Sequence, residues 1–195
     1  RAQFLQAIEE VATGFRTTAT QLTDIAQGVT DTATAEVNLF NGELQALEEI
    51  NAGLRKARAG STNQASLMDR RDQLIDQLSA KGGINVSFDN RGAATVRASD
   101  SGELLLSAGY RAELSASVSA TGLISYSIDG GTPFATTRGS LAGFAEAASH
   151  VSDQRAGLDE MAVQFSTELN TAHQAGFDLQ GEPGKALFVG TSAAT

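Results

Sequence analysis

Two histidines, a run of carboxylates and a scatter of serines are the residues of this chain that carry acid–base, metal or nucleophile chemistry. Their spacing argues against all three. His150 and His173 lie on one predicted helix, 23 positions apart, which separates them by roughly 35 Å at the helical rise. They cannot share a site within one chain. His173 falls in the last turn before Gly176, where a cation suits the helix dipole and a ring nitrogen can reach free carbonyls. A structural role is expected there. Asp69, Asp72 and Asp76 form a tight carboxylate group, and Asp72 and Asp76 share a helical face. Arg70 and Arg71 interleave and neutralise them locally, so an ion-pair network is expected rather than an oxygen-ligand cation site. Arg155, the one charge on an otherwise aliphatic seam, needs a partner if buried, and these carboxylates are its expected partner.

The remaining motifs are weak. Gly139-x-x-x-Gly143 has the close-packing spacing of membrane helices, but no apolar run approaches the ~20 residues of a span, so the glycines either admit a close backbone or are incidental. Gly181-x-x-Gly184-Lys185 lacks the length and the Ser/Thr of a phosphate loop. Asn85-Val86-Ser87 is a formal glycosylation sequon inside a predicted strand. No strand-turn-helix elbow presents a serine to either histidine. No catalytic, cofactor or metal residue is assigned, and an enzyme is not expected.

Composition narrows the classes further. The net charge of −9 disfavours a nucleic-acid partner, because phosphate binding needs a basic face. Without cysteine there is neither a disulfide framework nor a thiolate site. Tryptophan is absent and aromatics make up 6%, so the core must be largely aliphatic and alanine-rich. No signal peptide is visible. The chain opens at Arg1 inside an amphipathic pattern, which reads as part of something longer.

The elements that position these residues follow from periodicity. Phe4, Ile8, Val11, Phe15, Leu22, Ile25 and Val29, with Thr18 at the missing seam position, step by three and four. Val37, Phe40, Leu44, Leu47, Asn51 and Leu54 keep that spacing displaced by one residue. The displacement falls near Gly28–Thr34, where Thr30-Asp31-Thr32 either caps a new helix or sits inside one continuous, locally rewound helix. Continuity is the expectation. Asn51 reads either as a polar register device or as a solvated rim position. Gly60-Ser61-Thr62-Asn63 is a break followed by capping residues. A third helix carries Leu67, Met68, Leu74, Ile75 and Leu78 and ends at Gly82-Gly83.

Between Ile84 and Ile128 the period becomes two. Asp89-Asn90-Arg91-Gly92, Asp100-Ser101-Gly102, Thr121-Gly122 and Asp129-Gly130-Gly131 punctuate four or five short antiparallel strands in one small sheet, which must rest on the helices. From Ser140 the seam residues are Leu141, Phe144, Ala148, Val151, Arg155, Leu158, Ala162, Phe165, Leu169 and Ala172, a helix of about 50 Å closed by Gly176. Leu187-Phe188-Val189 is expected to pack back as a short extended piece. The fold class is α+β: an elongated helical domain from 1–82 and 137–195, whose tail 177–195 is turn-rich, with a small antiparallel β subdomain, 83–136, inserted.

Two ordered motifs now stand out. Leu67-Met68-Asp69-Arg70-Arg71-Asp72-Gln73-Leu74-Ile75-Asp76-Gln77-Leu78-Ser79, followed by Gly83-Ile84-Asn85-Val86, resembles the Leu-Leu-Asp-x-Arg-Asp-x-Leu-x-x-x-Leu-Ser…Gly-Val-x-Val signature of the bacterial flagellar hook-associated protein 1 (FlgK) family. Gly139-Ser140-Leu141-Ala142-Gly143 and Asn170-Thr171-Ala172-His173-Gln174-Ala175-Gly176-Phe177-Asp178-Leu179-Gln180-Gly181 are similar to that family's Gly-x-Leu-x-Gly helix start and Asn-x-x-His-x-x-Gly-x-Asp-x-x-Gly helix end. The signature positions carried over are Leu67, Asp69, Arg71, Asp72, Leu74, Leu78, Gly139, Leu141, Gly143, Asn170, His173, Gly176 and Asp178, all as structural residues. Where the family often has Phe-Arg-Asp after the helix start, this chain has Ala147-Ala148-Ser149, so an ion pair there is expected to be lost, with Arg155 compensating.

The resemblance implies a structural axial protein of the flagellum at the hook–filament junction. Its partners would be the hook protein, the second junction protein and copies of itself, with an export chaperone for the full-length chain. It implies an extracellular location reached through the flagellar type III pathway without a cleaved signal, and no nucleic-acid or membrane partner. Terminal helices outside this segment would form the inner core of the tube, leaving the segment itself monomeric. Two other readings compete: a coiled-coil surface adhesin or binding module with a β head, and a hydrolase built on scattered Asp and Ser.

Overall fold

The structure, a computed structural model, describes residues 2–177 and 180–189. It is an α+β fold with three helices, α1 (Ala2–Lys56), α2 (Thr62–Lys81) and α3 (Gly139–Gln174). Between α2 and α3 run seven strands: β1 (Ile84–Phe88), β2 (Ala94–Ala98), β3 (Leu104–Ser107), β4 (Tyr110–Arg111), β5 (Leu114–Val118), β6 (Ile124–Ile128) and β7 (Thr132–Pro133). They form two antiparallel sheets, ordered β1-β2-β3-β4 and β5-β6-β7, where one sheet was expected. The chain divides into two compact units, residues 28–149 and the described residues of 1–27 with 150–195.

Helix α1 is continuous. The threonines expected to compete with the helix instead bond back into it, Thr32 Oγ1 to the Gly28 carbonyl at 2.7 Å and Thr34 Oγ1 to that of Thr30 at 2.9 Å. This is how hydroxyls are accommodated inside a helix rather than at its cap. Helix α2 starts where the capping residues stand. Ser61 Oγ accepts from Gln64 N, which satisfies an orphan donor of the first turn, and Gln64 Oε1 reaches back to accept from Gly60 N, just before the cap, at 2.8 Å.

The end of α2 differs from the usual glycine stop. Gly82 has φ −154°, extended rather than left-handed. Its role is space: a Cβ there would lie 3.1 Å from the Phe134 ring, and one on Gly83 would lie 2.3 Å from Ser99 Oγ.

In the 28–149 unit the core is aliphatic. Val37, Phe40, Leu44, Leu47 and Leu54 of α1 are all buried, as are Leu78 of α2 and Leu141 and Ala148 of α3. All of these but Leu54 meet Val96, Leu105 and Leu106 from the first sheet and Leu114, Ile124 and Ile128 from the second. The alternation of β2 (Ala94, Val96, Ala98 in; Arg97 out) and β6 (Ile124, Tyr126, Ile128 in) is what seats each sheet on the helices. Phe40 and Phe134 pack with their rings tilted by 55°, centroids 5.9 Å apart. The Tyr126 hydroxyl donates to the Leu141 carbonyl at 2.8 Å. Burial, with a smaller push from the Glu36 charge, raises its pKa to about 12.

The other unit is built differently. None of its described residues is buried. The α1 stripe that begins at Phe4 leaves Phe4 50% and Ile25 52% exposed, and Met161 of α3 is 56% exposed. Phe15 and Phe165 pack with their rings tilted by 46°, centroids 6.0 Å apart, and Phe188 packs edge-on against Phe165 at 5.8 Å.

Candidate functional site

No group of three His, Cys, Asp or Glu side chains among the described residues is placed to hold a metal ion. No helix among them is long and apolar enough to cross a membrane. What the motif residues build is a pair of clasps, one in each unit, and both tie side chains to backbone.

The first clasp centres on Arg71. Its side chain is 10% exposed. One guanidinium nitrogen, Nη1, donates to the Gly92 carbonyl at 2.5 Å, while Nε and Nη2 share Asp72 Oδ1 at 2.8 and 2.6 Å. The guanidinium also covers the Phe88 ring, 4.1 Å from its centroid. Arginine suits such a position because its planar fork can bond and stack at once. The β1–β2 turn that receives it is fixed by Asp89 Oδ1, which accepts from Arg91 N at 2.8 Å and Ala93 N at 2.9 Å. The bond from Ala93 is foremost in holding the Asp89 carboxyl below its ordinary range. Gly92 has φ +86°, and a Cβ there would sit 2.6 Å from Met68 Cε and 3.0 Å from Arg71 Nη1. Left-handed backbone and close approach both require glycine at this position.

Around this clasp the other motif residues take separate places. Leu67 packs against Gly53, where an added Cβ would lie 3.2 Å from its Cδ1. Leu74 is half-buried on the core, and Leu78 and Leu141 are fully inside it. Gly139, at φ +80°, lies over the end of α2, where a Cβ would be 2.5 Å from the Lys81 carbonyl. Gly143 has open space around it. Of the two glycines in that motif, one therefore admits a close backbone. Asp69 and Asp76 are exposed.

The ion-pair expectation for Arg155 fails. Arg155 is exposed on α3, and Asp72 is taken by its neighbour Arg71. Arg71, Lys81 and Arg111 are cations that are buried or partly buried and do hold a carboxylate partner. Lys81 Nζ meets Glu43 Oε1 at 2.6 Å, with the two side chains 13% and 15% exposed, and joins the end of α2 to α1.

The second clasp is at the end of α3. Asn170 Oδ1 accepts from Leu187 N at 2.7 Å and Phe188 N at 3.0 Å, and its Nδ2 donates to the Phe188 carbonyl at 2.9 Å. Three residues on, His173 Nδ1 bonds the Lys185 carbonyl at 2.7 Å. The ring thus serves the returning tail rather than its own helix's last carbonyls. Gly176 O accepts from Gly184 N at 2.9 Å, and Phe177 and Pro183 form a bridge. Of the expected Leu187-Phe188-Val189 piece, Leu187 and Phe188 pack back, held by an asparagine rather than as a strand, whereas Val189 is exposed. Asp178 lies outside the described residues.

Two further clasps carry no motif. Asn51, 1% exposed, accepts from Ala94 N at 2.7 Å and donates to Ala94 O at 2.8 Å. Asn41 does the same to Leu114, at 2.8 Å in both directions. Neither a register device between like helices nor a solvated rim describes Asn51. The signal for it was present, an amide on a stripe of otherwise buried aliphatics, and its partner strand was not legible.

The family model for the flagellar hook-associated protein FlgK helical domain matches residues 1–188. The flagellar hook-associated protein 1 of Escherichia coli (strain K12) is 28% identical over 194 residues, covering 92% of this chain and 35% of that protein. That of Bacillus subtilis (strain 168) is 25% identical over 217 residues, covering 96% of this chain and 43% of that protein. The chain thus spans less than half the length of these curated relatives. Arg71 and Asn170, the two residues around which the clasps form, both lie inside the matched span, and the chain belongs to the FlgK family of flagellar hook-associated proteins.

Proposed function

We propose that this chain is part of a non-enzymatic, axial component of the bacterial flagellum that forms the hook–filament junction. The observation that carries the reading is the family match across residues 1–188. The side-chain arrangement agrees with it: the motif residues staple helix to turn and helix to tail, which stiffens a scaffold. In this reading residues 1–82 and 137–195 serve as the helical domain and 83–136 as its β subdomain. The motif positions Arg71, Gly139, Asn170 and His173 maintain shape, and Leu74, Leu78 and Leu141 pack in the core of the 28–149 unit. The full protein would leave the cell through the flagellar type III pathway, escorted by a chaperone. It would contact the hook protein on one side and the second junction protein on the other, with copies of itself in the same layer.

The test is genetic and microscopic. In the parent organism, deleting the gene should leave hooks without attached filaments and filament protein in the medium. Gold-labelled antibodies raised against this chain should mark a band between hook and filament. Normal filaments in the deletion strain would overturn the proposal.

A further inference from the structure

The charge of this acidic chain is unevenly placed. Between Glu49 and Asp69 there is no carboxylate, and Arg55, Lys56 and Arg58 all fall there. The fold adds a fourth cation: Arg91, in the β1–β2 turn, bonds the Arg55 carbonyl through Nη1, and Gln64 Nε2 bonds the Arg91 carbonyl. Helix polarity accounts for part of this, since Arg55 and Lys56 occupy the last turn of α1 and Arg91 caps it. It does not account for Arg58, which lies beyond the helix, or for both Lys56 and Arg58 being exposed with no side-chain partner among the described residues. Asp89, the carboxylate of the turn that carries Arg91, is committed to the amides of that turn.

Opposite in sign is the surface of α3. It carries Glu146, Asp153, Asp159, Glu160 and Glu168, all exposed, against a single arginine, Arg155. We propose that the basic end formed by Arg55, Lys56, Arg58 and Arg91 docks on the acidic face of α3, around Asp153 and Glu160, in a second copy of this chain. The occupant is set by charge complementarity: the same molecule carries a compact cationic end and a long anionic helix, so two copies satisfy each other. Such a contact joins different surfaces of the two copies, and subunits can add in one direction. Because the pairs are solvent-exposed, the contact is weak and salt-sensitive, serving to orient neighbours more than to hold them. This rests on the junction reading, which already supposes contact between copies, and names the surfaces for it; it departs from the monomeric segment expected from the sequence.

Sedimentation velocity over a concentration series, at low and at high ionic strength, tests the contact. The expected result is association that grows with concentration at low salt and disappears at ~0.5 M salt. Lys56→Glu/Arg58→Glu should weaken it by about tenfold or more, and Asp153→Lys/Glu160→Lys should do the same. Combining all four substitutions should restore association, because the two faces then have exchanged signs. Circular dichroism melting confirms that each variant is folded, and none of these side chains is in the core. A wild-type chain that stays monomeric at low salt overturns the proposal. So does association that either reversed pair leaves unchanged, or that the fourfold variant fails to regain.

Discussion

Asn51 of α1 grips both polar groups of a single strand residue, Ala94: the side-chain carbonyl takes its N–H at 2.7 Å and the side-chain amide gives to its C=O at 2.8 Å. Ala94 is the first residue of β2, and the β2–β3 pairing covers only Val96 and Arg97. The amide thus stands where a neighbouring strand would have been. This explains why an asparagine is tolerated among Leu44, Leu47 and Leu54, all at 0% exposure. It satisfies two buried backbone groups that no strand reaches.

Replacing Asn51 with Leu therefore suits the stripe and harms the fold. Two buried backbone groups lose their partners, at about 1–3 kcal/mol each, so urea unfolding should show a loss of ~2–4 kcal/mol. Asn41→Leu, at a partly exposed position, should cost less than half of that. Equal costs, or a stabilised Asn51→Leu, would show that the amide is dispensable.

Arg71 is the residue at which charge conservation should not rescue structure. Lysine keeps the charge but can neither bond the Gly92 carbonyl and Asp72 together nor stack flat on Phe88. Arg71→Lys should lose ~1–2 kcal/mol and Arg71→Ala ~3 kcal/mol. Gly92→Ala adds a side chain in left-handed backbone against Met68 Cε and should be at least as damaging as Arg71→Lys. A neutral Arg71→Lys in chemical denaturation removes the stacking argument.

The extent to which this fold was legible in sequence depended on whether a pattern faced a core. The stripe from Val37 to Leu54 is fully buried, and β2 and β6 show their alternation directly. The first α1 stripe and the later α3 seam have the same spacing yet leave their residues half-buried or exposed, because spacing measures which face is apolar and not what covers it. Arg155 was misread for that reason: its seam position is not interior. The strand count fell short because β4 and β7 are two residues long, too short for any alternation to register, and the division into two sheets turns on β4 pairing with β3 while β5 pairs with β6, which alternation does not contain. Arg71 was placed correctly as a local neutraliser of Asp72. Its grip on Gly92 joins residues 21 apart in sequence, a relationship that helical spacing does not contain.

Acid and base limbs of the stability curve have assigned causes. Asp89, Asp100 and Asp129 have pKa values lowered, first by the Ala93 amide, the Ser99 hydroxyl and the Glu113 amide respectively. A lowered folded pKa means the charged form is favoured by folding. The contribution is complete above the ordinary carboxylate pKa of ~4 and is lost as pH falls below it. Tyr126 runs the other way: raised to about 12 by burial, it stabilises the fold fully below ~10 and loses that contribution as pH climbs from there toward 12. Stability measured by urea unfolding should be level across neutral pH and fall at both ends. Tyr126→Phe should flatten the alkaline fall; an unchanged alkaline limb in that variant assigns the loss elsewhere.

Hydrogen exchange should divide α1 despite its continuity. Amides of residues 37–54 lie under buried side chains, whereas those of 3–27 lie under none. Opening there disrupts little buried surface, so amides of 3–27 should exchange ~100-fold faster or more than those of 37–54. Uniform protection along the helix would mean that intrinsic helical stability, not packing, governs its opening.

The Asn170 clasp offers the sharpest local test, because it holds Leu187 and Phe188 through three bonds from one side chain. Asn170→Ala removes all three; Asn170→Asp keeps the two accepted bonds and turns the donated one into a contact between two oxygens. Protection of the Leu187 and Phe188 amides should vanish in the alanine variant and fall only partly in the aspartate variant. Gly184→Ala reaches the same tail from the other side: its Cβ would lie 2.0 Å from the His173 carbonyl oxygen, a backbone atom at the end of a helix that cannot simply turn away. The tail must move instead, carrying Lys185 off the His173 ring and Phe188 off Phe165. The Phe188 ring resonances, shifted by the edge-on contact with Phe165, should then move toward free-phenylalanine values. If Gly184→Ala leaves them in place while Asn170→Ala shifts them, the asparagine alone holds the tail and the histidine bond is incidental.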